Sequence, residues 1–428
     1  TACGLRDQAV SYLPPAHATH PVVGCLRRVV AAGHCIHDID AARVRAPVAC
    51  AGERCAAFGS PLVRLPSATI FATPMTLPLP SPTAVWPPDE LEAQPRCPMC
   101  AGTARQLLHT GLTDRLFRCA PGTWTVVQCQ ACRTAYLDPR PDAQSIAKAY
   151  TSYFTHDAAG SAQPASGLRH WLRREVNGWR NRQWHTDLQP ASRRGGWWVS
   201  LAWPLPSLVR HQMRNLPHTP PRSGARLLDV GCGSGAFLVL ARAAGWSVQG
   251  VDFDPVAVQG ARRQGLEVHH GGLEQVANQQ ESYDWITCSH VIEHVHEPVQ
   301  WLRGMYALLR PGGTLWLQTP NIDSWGYREF GADWRALDPP RHLSIAPVDG
   351  LCDTLRKVGF DPRPQGLSPV LALAEFNASR ALQQGGNGMA PFRWTQWPGL
   401  RYLMAALVQS ARPGHAEFIT IVAQKPHA

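Results

Sequence analysis

A short apolar strand that runs straight into three closely spaced glycines constrains this chain more than any other feature. Leu227-Leu228-Asp229-Val230 is followed at once by Gly231-Cys232-Gly233-Ser234-Gly235. Glycine lacks a Cβ, so such a turn brings backbone N–H groups against a ligand and opens a helix behind it. Further on, Gly250-Val251-Asp252 ends a second strand with an acid placed to accept both hydroxyls of a ribose. From Ala225 onward strand and helix patterns alternate, which specifies a parallel α/β sheet. Strands are read at Arg226–Val230, Ser247–Asp252, Leu266–His269, Tyr283–Ser289, Thr314–Thr319 and Glu417–Ala423. Helices are read at Ala236–Gly245, at Pro255–Gln264 with Asp254 as its cap, at Val299–Leu309 and at Val348–Gly359. Leu373–Gly414 reads as a helical insertion before the closing strand, a lid or acceptor wall.

With Ala236 the turn also fits a loose dinucleotide pattern, G-x-G-x-x-A. Electrostatics favours another ligand. Asp229 directly precedes the turn, an awkward neighbour for a pyrophosphate but a suitable one for a cationic amino-acid group. Two more stretches follow in order: Tyr283-Asp284-Trp285-Ile286-Thr287-Cys288-Ser289-His290-Val291-Ile292-Glu293-His294-Val295, then Leu308-Leu309-Arg310-Pro311-Gly312-Gly313-Thr314. Pro340-Arg341-His342-Leu343 and the terminal Ile419–Lys425 complete the set.

On these motifs the chain resembles the class I S-adenosylmethionine-dependent methyltransferases, over most of residues 224–428. The resemblance implies a doubly wound, Rossmann-like sheet of seven strands, the last one antiparallel. It also implies a site. Gly231, Gly233 and Gly235 would cradle the methionine part of the cofactor, Asp229 its ammonium side and Asp252 the ribose. Phe253 would flank the adenine ring, and Leu273 would meet the adenine edge through its backbone. His290 either lines the cofactor or packs structurally.

Cys97-Pro-Met-Cys100 and Cys129-Gln-Ala-Cys132 are two C-x-x-C knuckles. Two thiolate pairs on tight turns can close a tetrahedral site around a structural zinc, with redox pairs as the alternative. The gap between them leaves room for a hairpin, expected at Leu116–Val127. With 13 cysteines in all and only these four regularly spaced, a disulfide framework is not read. Together with Pro139-Arg140-Pro141 and the paired Tyr150 and Tyr153, the knuckles resemble methyltransferases with an amino-terminal zinc-binding domain, similar to ubiquinone-biosynthesis-type and sugar C-methyltransferases.

On the acceptor side Glu293 and His294 follow the fourth strand, where the resembled family presents the acceptor to the sulfonium. A histidine beside an orienting carboxylate is a fitting proton acceptor. His342, near Trp334 and Arg341, is a further acceptor-pocket candidate. An Asn-Pro-Pro-Tyr-type motif is not found after the fourth strand, which argues against methylation of base amino groups.

Charge narrows the remaining classes. The 428 residues carry 41 basic and 31 acidic side chains, and only three of the basic ones are lysines. Between Ser161 and Arg222 lie ten arginines against Glu175 and Asp187, so the rest of the chain is nearly neutral. That argues against a general nucleic-acid-coating surface. Leu168, Trp171, Leu172, Val176 and Trp179 recur at helical spacing, with Arg169, Arg173, Arg174, Arg180 and Arg182 largely on the other side. Three readings of this segment stay open: a solvated cap over the site, an interfacial helix touching anionic lipid, and an RNA-binding surface. No run approaches the roughly 20 apolar residues of a spanning helix.

The expected organisation is therefore a leader over 1–88, a zinc-knuckle domain over 89–140, a helical Arg/Trp-rich connector over 141–222 and a methyltransferase domain over 223–428. Much of 1–74 is expected to be foreign to the native coding sequence, with Met75 as the start; a disordered leader is the alternative. Expected function is methyl transfer to oxygen or carbon of a small-molecule or lipid/sugar-linked acceptor. The location expected is the cytoplasm, including the inner face of the membrane. An rRNA or tRNA methyltransferase and a catalytically silent cofactor-binding scaffold are the alternatives.

Overall fold

The computed structural model describes residues 85–151 and 167–427, apart from 195, 387 and 389–398. The expectations placed on residues 1–84, Met75 included, and on Tyr153 and Ser161–Ser166 lie outside the described residues.

The chain enters through a short strand β1 (Leu91–Glu92), which pairs with β5 (Arg140–Pro141). Between them lie β2 (Arg105–Leu112), β3 (Trp124–Cys129) and β4 (Ala135–Leu137), an antiparallel sheet carrying the cysteine knuckles. The hairpin thus begins earlier than Leu116. Asp114 is the reason: its carboxylate accepts the N–H groups of Phe117, Cys119 and Ala120, which ties residues 114–120 into a loop. A 3-10 turn, Ile146–Tyr150, follows β5.

Helix α1 (Leu168–Trp184) and helix α2 (Leu205–Gln212) make the connector. Arg169, Arg173, Arg174 and Arg182 are exposed as expected. Arg180 instead turns partly inward, donating to Asn177 and reaching Gln212.

The main sheet has seven strands: β6 (Arg226–Val230), β7 (Ser247–Asp252), β8 (Glu267–His270), β9 (Tyr283–Ser289), β10 (Leu309–Pro320), β12 (Asp361–Gln365) and β13 (Phe418–Gln424). Their order is β12-β13-β10-β9-β6-β7-β8, with β13 antiparallel to both neighbours. Helices α3 (Ala236–Ala243), α4 (Pro255–Arg263), α5 (Pro298–Leu308), α6 (Trp325–Phe330) and α7 (Val348–Val358) connect the strands. The insertion before β13 contains α8 (Pro369–Gln383) and α9 (Leu400–Ala411). A two-residue strand, β11 (Ser344–Ile345), leaves this domain and pairs with β4 of the cysteine module.

Alternation decides what each face of the sheet covers. Leu228, Val230, Ile286 and Leu317 pack with Cys97, Val127, Cys129 and Tyr136 of the module. Their neighbours Leu227, Trp285 and Trp316 point the other way, against Trp179, Trp184, Val209 and Met213 of the connector. The sheet's own helices fill both of these cores as well, α5 and α7 on the module's side and α3 and α4 on the connector's side. Strand order reverses between β6 and β9, so a crevice opens at the carboxyl ends of those two strands. Among the described residues no helix is long and apolar enough to cross a membrane.

Candidate functional site

The glycine turn leaves β6 beside the end of β9, where Val230 pairs with Cys288. Gly231 has a φ of 71°, and a Cβ there would lie 2.3 Å from Val291 Cγ2. At Gly235, with φ of 82°, a Cβ would lie 2.3 Å from Leu266 Cδ1. Both positions exclude any larger residue, and the loop is held with its backbone open to the crevice. Gly233 donates its N–H to Asp252 Oδ2 at 2.7 Å, and Asp254 donates to Oδ1 at 2.9 Å. Each carboxylate oxygen keeps further lone pairs, so Asp252 is oriented and still able to accept. Burial pushes its pKa up, against the pull of those two N–H groups. Asp254 also caps α4 by accepting from Val256 at 2.9 Å, as the sequence suggests.

Asp229 is fully buried. Its Oδ1 accepts from Thr287 Oγ1 at 2.8 Å and from the Arg214 guanidinium. Its Oδ2 is buried without a hydrogen-bond partner among the described residues. A buried orphan oxygen of this kind fits an arriving cationic group, such as the ammonium of an amino acid. Burial pushes the Asp229 carboxyl upward, and Arg214 and Thr287 oppose that shift. Arg214 itself stands just after α2 with a left-handed φ of 46° and stacks its guanidinium 4.2 Å above the Phe237 ring. Sequence reasoning missed it, because one arginine among ten in the connector carries no distinguishing mark. Phe253 is half exposed at the crevice, tilted against Trp301 with centroids 5.9 Å apart. Leu273 packs behind it at the start of a 3-10 turn.

The acceptor-side residues leave the end of β9. His290 takes a left-handed φ of 54°, which turns the chain so that Glu293 and His294 come back under the sheet edge. Glu293 is fully buried; Oε1 faces His290 Nδ1 at 3.2 Å and Oε2 accepts from Thr319 Oγ1 at 3.0 Å. Burial alone would raise its pKa, but the His290 hydrogen bond and the charge of nearby histidines bring it down to about 2. The His294 and His342 rings meet edge to face with centroids 4.7 Å apart. Nδ1 of His294 lies 3.0 Å from both the Tyr150 hydroxyl and the Arg341 carbonyl. Nδ1 of His342 lies 2.7 Å from the Ala336 carbonyl. Burial lowers the His342 pKa to about 4. Among the described residues, one donor atom each from Glu293, His294 and His342 falls within 4.8 Å of the others.

The four knuckle cysteines converge as well. Cys97 and Cys132 Sγ are 3.5 Å apart, as are Cys100 and Cys129 Sγ. Tetrahedral zinc with bonds of about 2.3 Å places sulfurs roughly 3.8 Å apart, so the donor set fits a closed metal site. No disulfide joins any of the described cysteines. Cys119 stands outside this set and hydrogen-bonds to the Ala149 carbonyl.

Comparison with known proteins bears on the family. Residues 205–365 match a family described as a methyltransferase domain. The ubiquinone biosynthesis O-methyltransferase of Bordetella pertussis is 30% identical over 176 residues, covering 37% of this chain and 73% of that protein. The enzyme of the same name from Ruegeria pomeroyi is 33% identical over 161 residues, covering 35% of this chain and 65% of that protein. The chain thus spans about two thirds to three quarters of these relatives. A crystal structure of an S-adenosylmethionine-dependent methyltransferase from Archaeoglobus fulgidus aligns at 19% identity with a TM-score of 0.35, covering 51% of this chain and 93% of that one.

A seven-stranded sheet with a glycine turn and an acid at the next strand end defines a nucleotide-cofactor-binding domain of the doubly wound class. Within that class, the chain belongs to the class I S-adenosylmethionine-dependent methyltransferases.

Proposed function

We propose that the protein transfers a methyl group from S-adenosylmethionine to an oxygen or activated carbon of a small acceptor, with His294 taking the acceptor's proton. When bound, the cofactor supplies a methyl group on an electrophilic sulfonium. The chain's own residues do the rest. Asp229 Oδ2 receives the ammonium, Arg214 the carboxylate, and Asp252 the ribose hydroxyls; Phe253 and Leu273 flank the adenine. Gly231, Gly233 and Gly235 admit the ligand against backbone. Because displacement at methyl is in line, placement of the acceptor supplies much of the acceleration.

One observation carries the acceptor-side reading. Nδ1 of both His294 and His342 faces a carbonyl, so the lone pair of each neutral ring sits on Nε2. Nε2 of His294 is then the atom that accepts a proton. A second reading takes the same three side chains as a seat for a divalent cation. In that reading a cation would share the Glu293 oxygens with His290 and Thr319.

Cys97, Cys100, Cys129 and Cys132 are inferred to hold a structural zinc, through which no chemical step passes. The O-methyltransferase relatives favour a small acceptor over RNA. A lipid- or sugar-linked acceptor is consistent with the connector, where Trp171, Trp197, Leu201 and Trp203 are exposed among Arg169, Arg173, Arg193 and Arg194. Indoles and arginines together suit an anionic membrane surface.

The test is transfer of labelled methyl from S-adenosylmethionine into a bacterial extract divided into lipid, polar-metabolite and RNA fractions. Label is expected in the first two. Label confined to RNA overturns the reading.

A further inference from the structure

The Arg341 guanidinium is fully buried, with no exposed side-chain surface. It arises in the loop that also carries His342, yet its partners come from both domains. Nη1 donates to Asp114 Oδ2 at 3.0 Å, Nη2 donates to Asp114 Oδ1 at 2.5 Å, and Nε donates to Asp338 at 3.0 Å. The guanidinium lies 4.4 Å above the Phe117 ring and also donates to the Ala149 carbonyl at 3.0 Å. Both flanking carboxylates are needed to hold so buried a cation, and one of them, Asp114, belongs to the cysteine module.

The next residue after Ala149 is Tyr150, whose hydroxyl reaches His294 Nδ1. The same Nδ1 meets the carbonyl of Arg341 itself. The circuit is closed: the Arg341 side chain fixes the segment bearing Tyr150, and the Arg341 backbone and Tyr150 together grip one nitrogen of His294. A carbonyl oxygen only accepts, and a bare Nδ1 lone pair 3.0 Å from it would be repelled. Nδ1 therefore carries the hydrogen and donates to the carbonyl, with the Tyr150 oxygen as a second acceptor. Nε2 has no hydrogen bond from the described residues, and the lone pair is there.

We propose that Tyr150 is a positioning residue that holds His294, together with the Arg341 carbonyl, as its Nδ1–H tautomer, and that Asp114 of the cysteine module supports this hold through Arg341. The module thus contributes, through that one carboxylate, to which nitrogen of the acceptor-side histidine bears the lone pair. The consequence for catalysis rests on the reading of His294 as the proton acceptor, whereas the tautomer does not.

The experiment uses the full chain with 15N-labelled histidine and bound S-adenosylhomocysteine, because ring 15N shifts distinguish protonated from bare nitrogens; His294→Gln assigns the signal. Wild type is expected to show Nδ1 protonated. Tyr150→Phe keeps the half-buried ring but removes one hydrogen bond, and should lower the Nδ1–H to Nε2–H ratio about two- to tenfold. Asp114→Asn should move the ratio the same way, by loosening Arg341. Affinity for S-adenosylhomocysteine should stay within about threefold, since neither residue touches the cofactor crevice. A wild-type ring protonated at Nε2, or a ratio unmoved by Tyr150→Phe, overturns the proposal; Tyr150→Phe alone decides if Asp114→Asn fails to fold. If the ratio moves while His294→Ala leaves methyl transfer intact, the positioning stands and the proton-acceptor reading falls.

Discussion

Arg214 and Asp229 form an ion pair at the floor of the cofactor crevice, the arginine from the connector and the aspartate from the first strand of the main sheet. One carboxylate oxygen is taken by that pair, and the other faces no partner. Opposite charges of one amino acid would thus be met by opposite charges on two different elements. Arg214→Ala should weaken S-adenosylhomocysteine binding by at least about tenfold, the loss of a charge-assisted hydrogen bond. A decarboxylated analogue of the ligand should bind wild type and variant alike. Calorimetry with both ligands checks this, and an equal loss for both would remove Arg214 from the carboxylate.

Asp252 is held by two backbone N–H groups, so its geometry survives changes elsewhere. Replacing it with alanine removes one or two hydrogen bonds to ribose, each worth roughly 1.5–3 kcal/mol. S-adenosylhomocysteine affinity should fall at least about tenfold. Unchanged affinity in a folded variant excludes Asp252 from the site.

His294→Ala should leave cofactor affinity within a few-fold and reduce turnover by at least about a hundredfold, the usual contribution of a placed base. Added magnesium or zinc should not rescue the variant; rescue or strict metal dependence in wild type would favour the cation reading of Glu293, His294 and His342.

Cys97→Ser or Cys129→Ser should lower bound zinc from about one per chain and destabilise the module, because folding of such knuckles depends on the metal. Atomic absorption together with thermal melting measures both. Metal-free wild type prepared without chelator would return the four thiols to a redox role.

His211, packed against Trp316, has its pKa lowered to about 4 by burial and then by the charges of His290 and Arg214. An unfolded histidine titrates near 6.5, so the unfolded chain binds more protons between those values. His211 therefore contributes stability above about pH 6.5 that is lost as pH falls towards 4, by at most about 1.4 kcal/mol per pH unit. Urea midpoints at pH 7.5 and 5 should differ less in His211→Phe than in wild type. An equal drop in both exonerates this residue.

The parts of the molecule legible in the sequence were those written by local rules. Strand β6, the glycine turn and Asp252 are contiguous signals, and Asp254 caps α4 where Pro255 makes a helix start obvious. The antiparallel closing strand followed from the resemblance, not from its residues. What stayed hidden depends on contacts between distant positions. Arg341 and Asp114 are separated by 227 residues, and nothing near either one announces the other. Arg214 looked like part of a solvated charge run until the fold placed it on Asp229. The hairpin expected at Leu116–Val127 opens in a loop instead, because a single aspartate, accepting three N–H groups, overrides the local pattern.

Strand β11 is only Ser344–Ile345, yet it sews the acceptor loop to β4 through the pairs Ser344 with Tyr136 and Ile345 with Ala135. The amino-terminal module is consequently not a cassette. Recombination that exchanged residues 89–140 for a homologous module of different register would shift the loop bearing Arg341 and His342, because those residues lie two and three positions before the stitch. The two regions can only drift together, and a chimera cut at their sequence boundary inherits a misaligned pocket even when both halves fold.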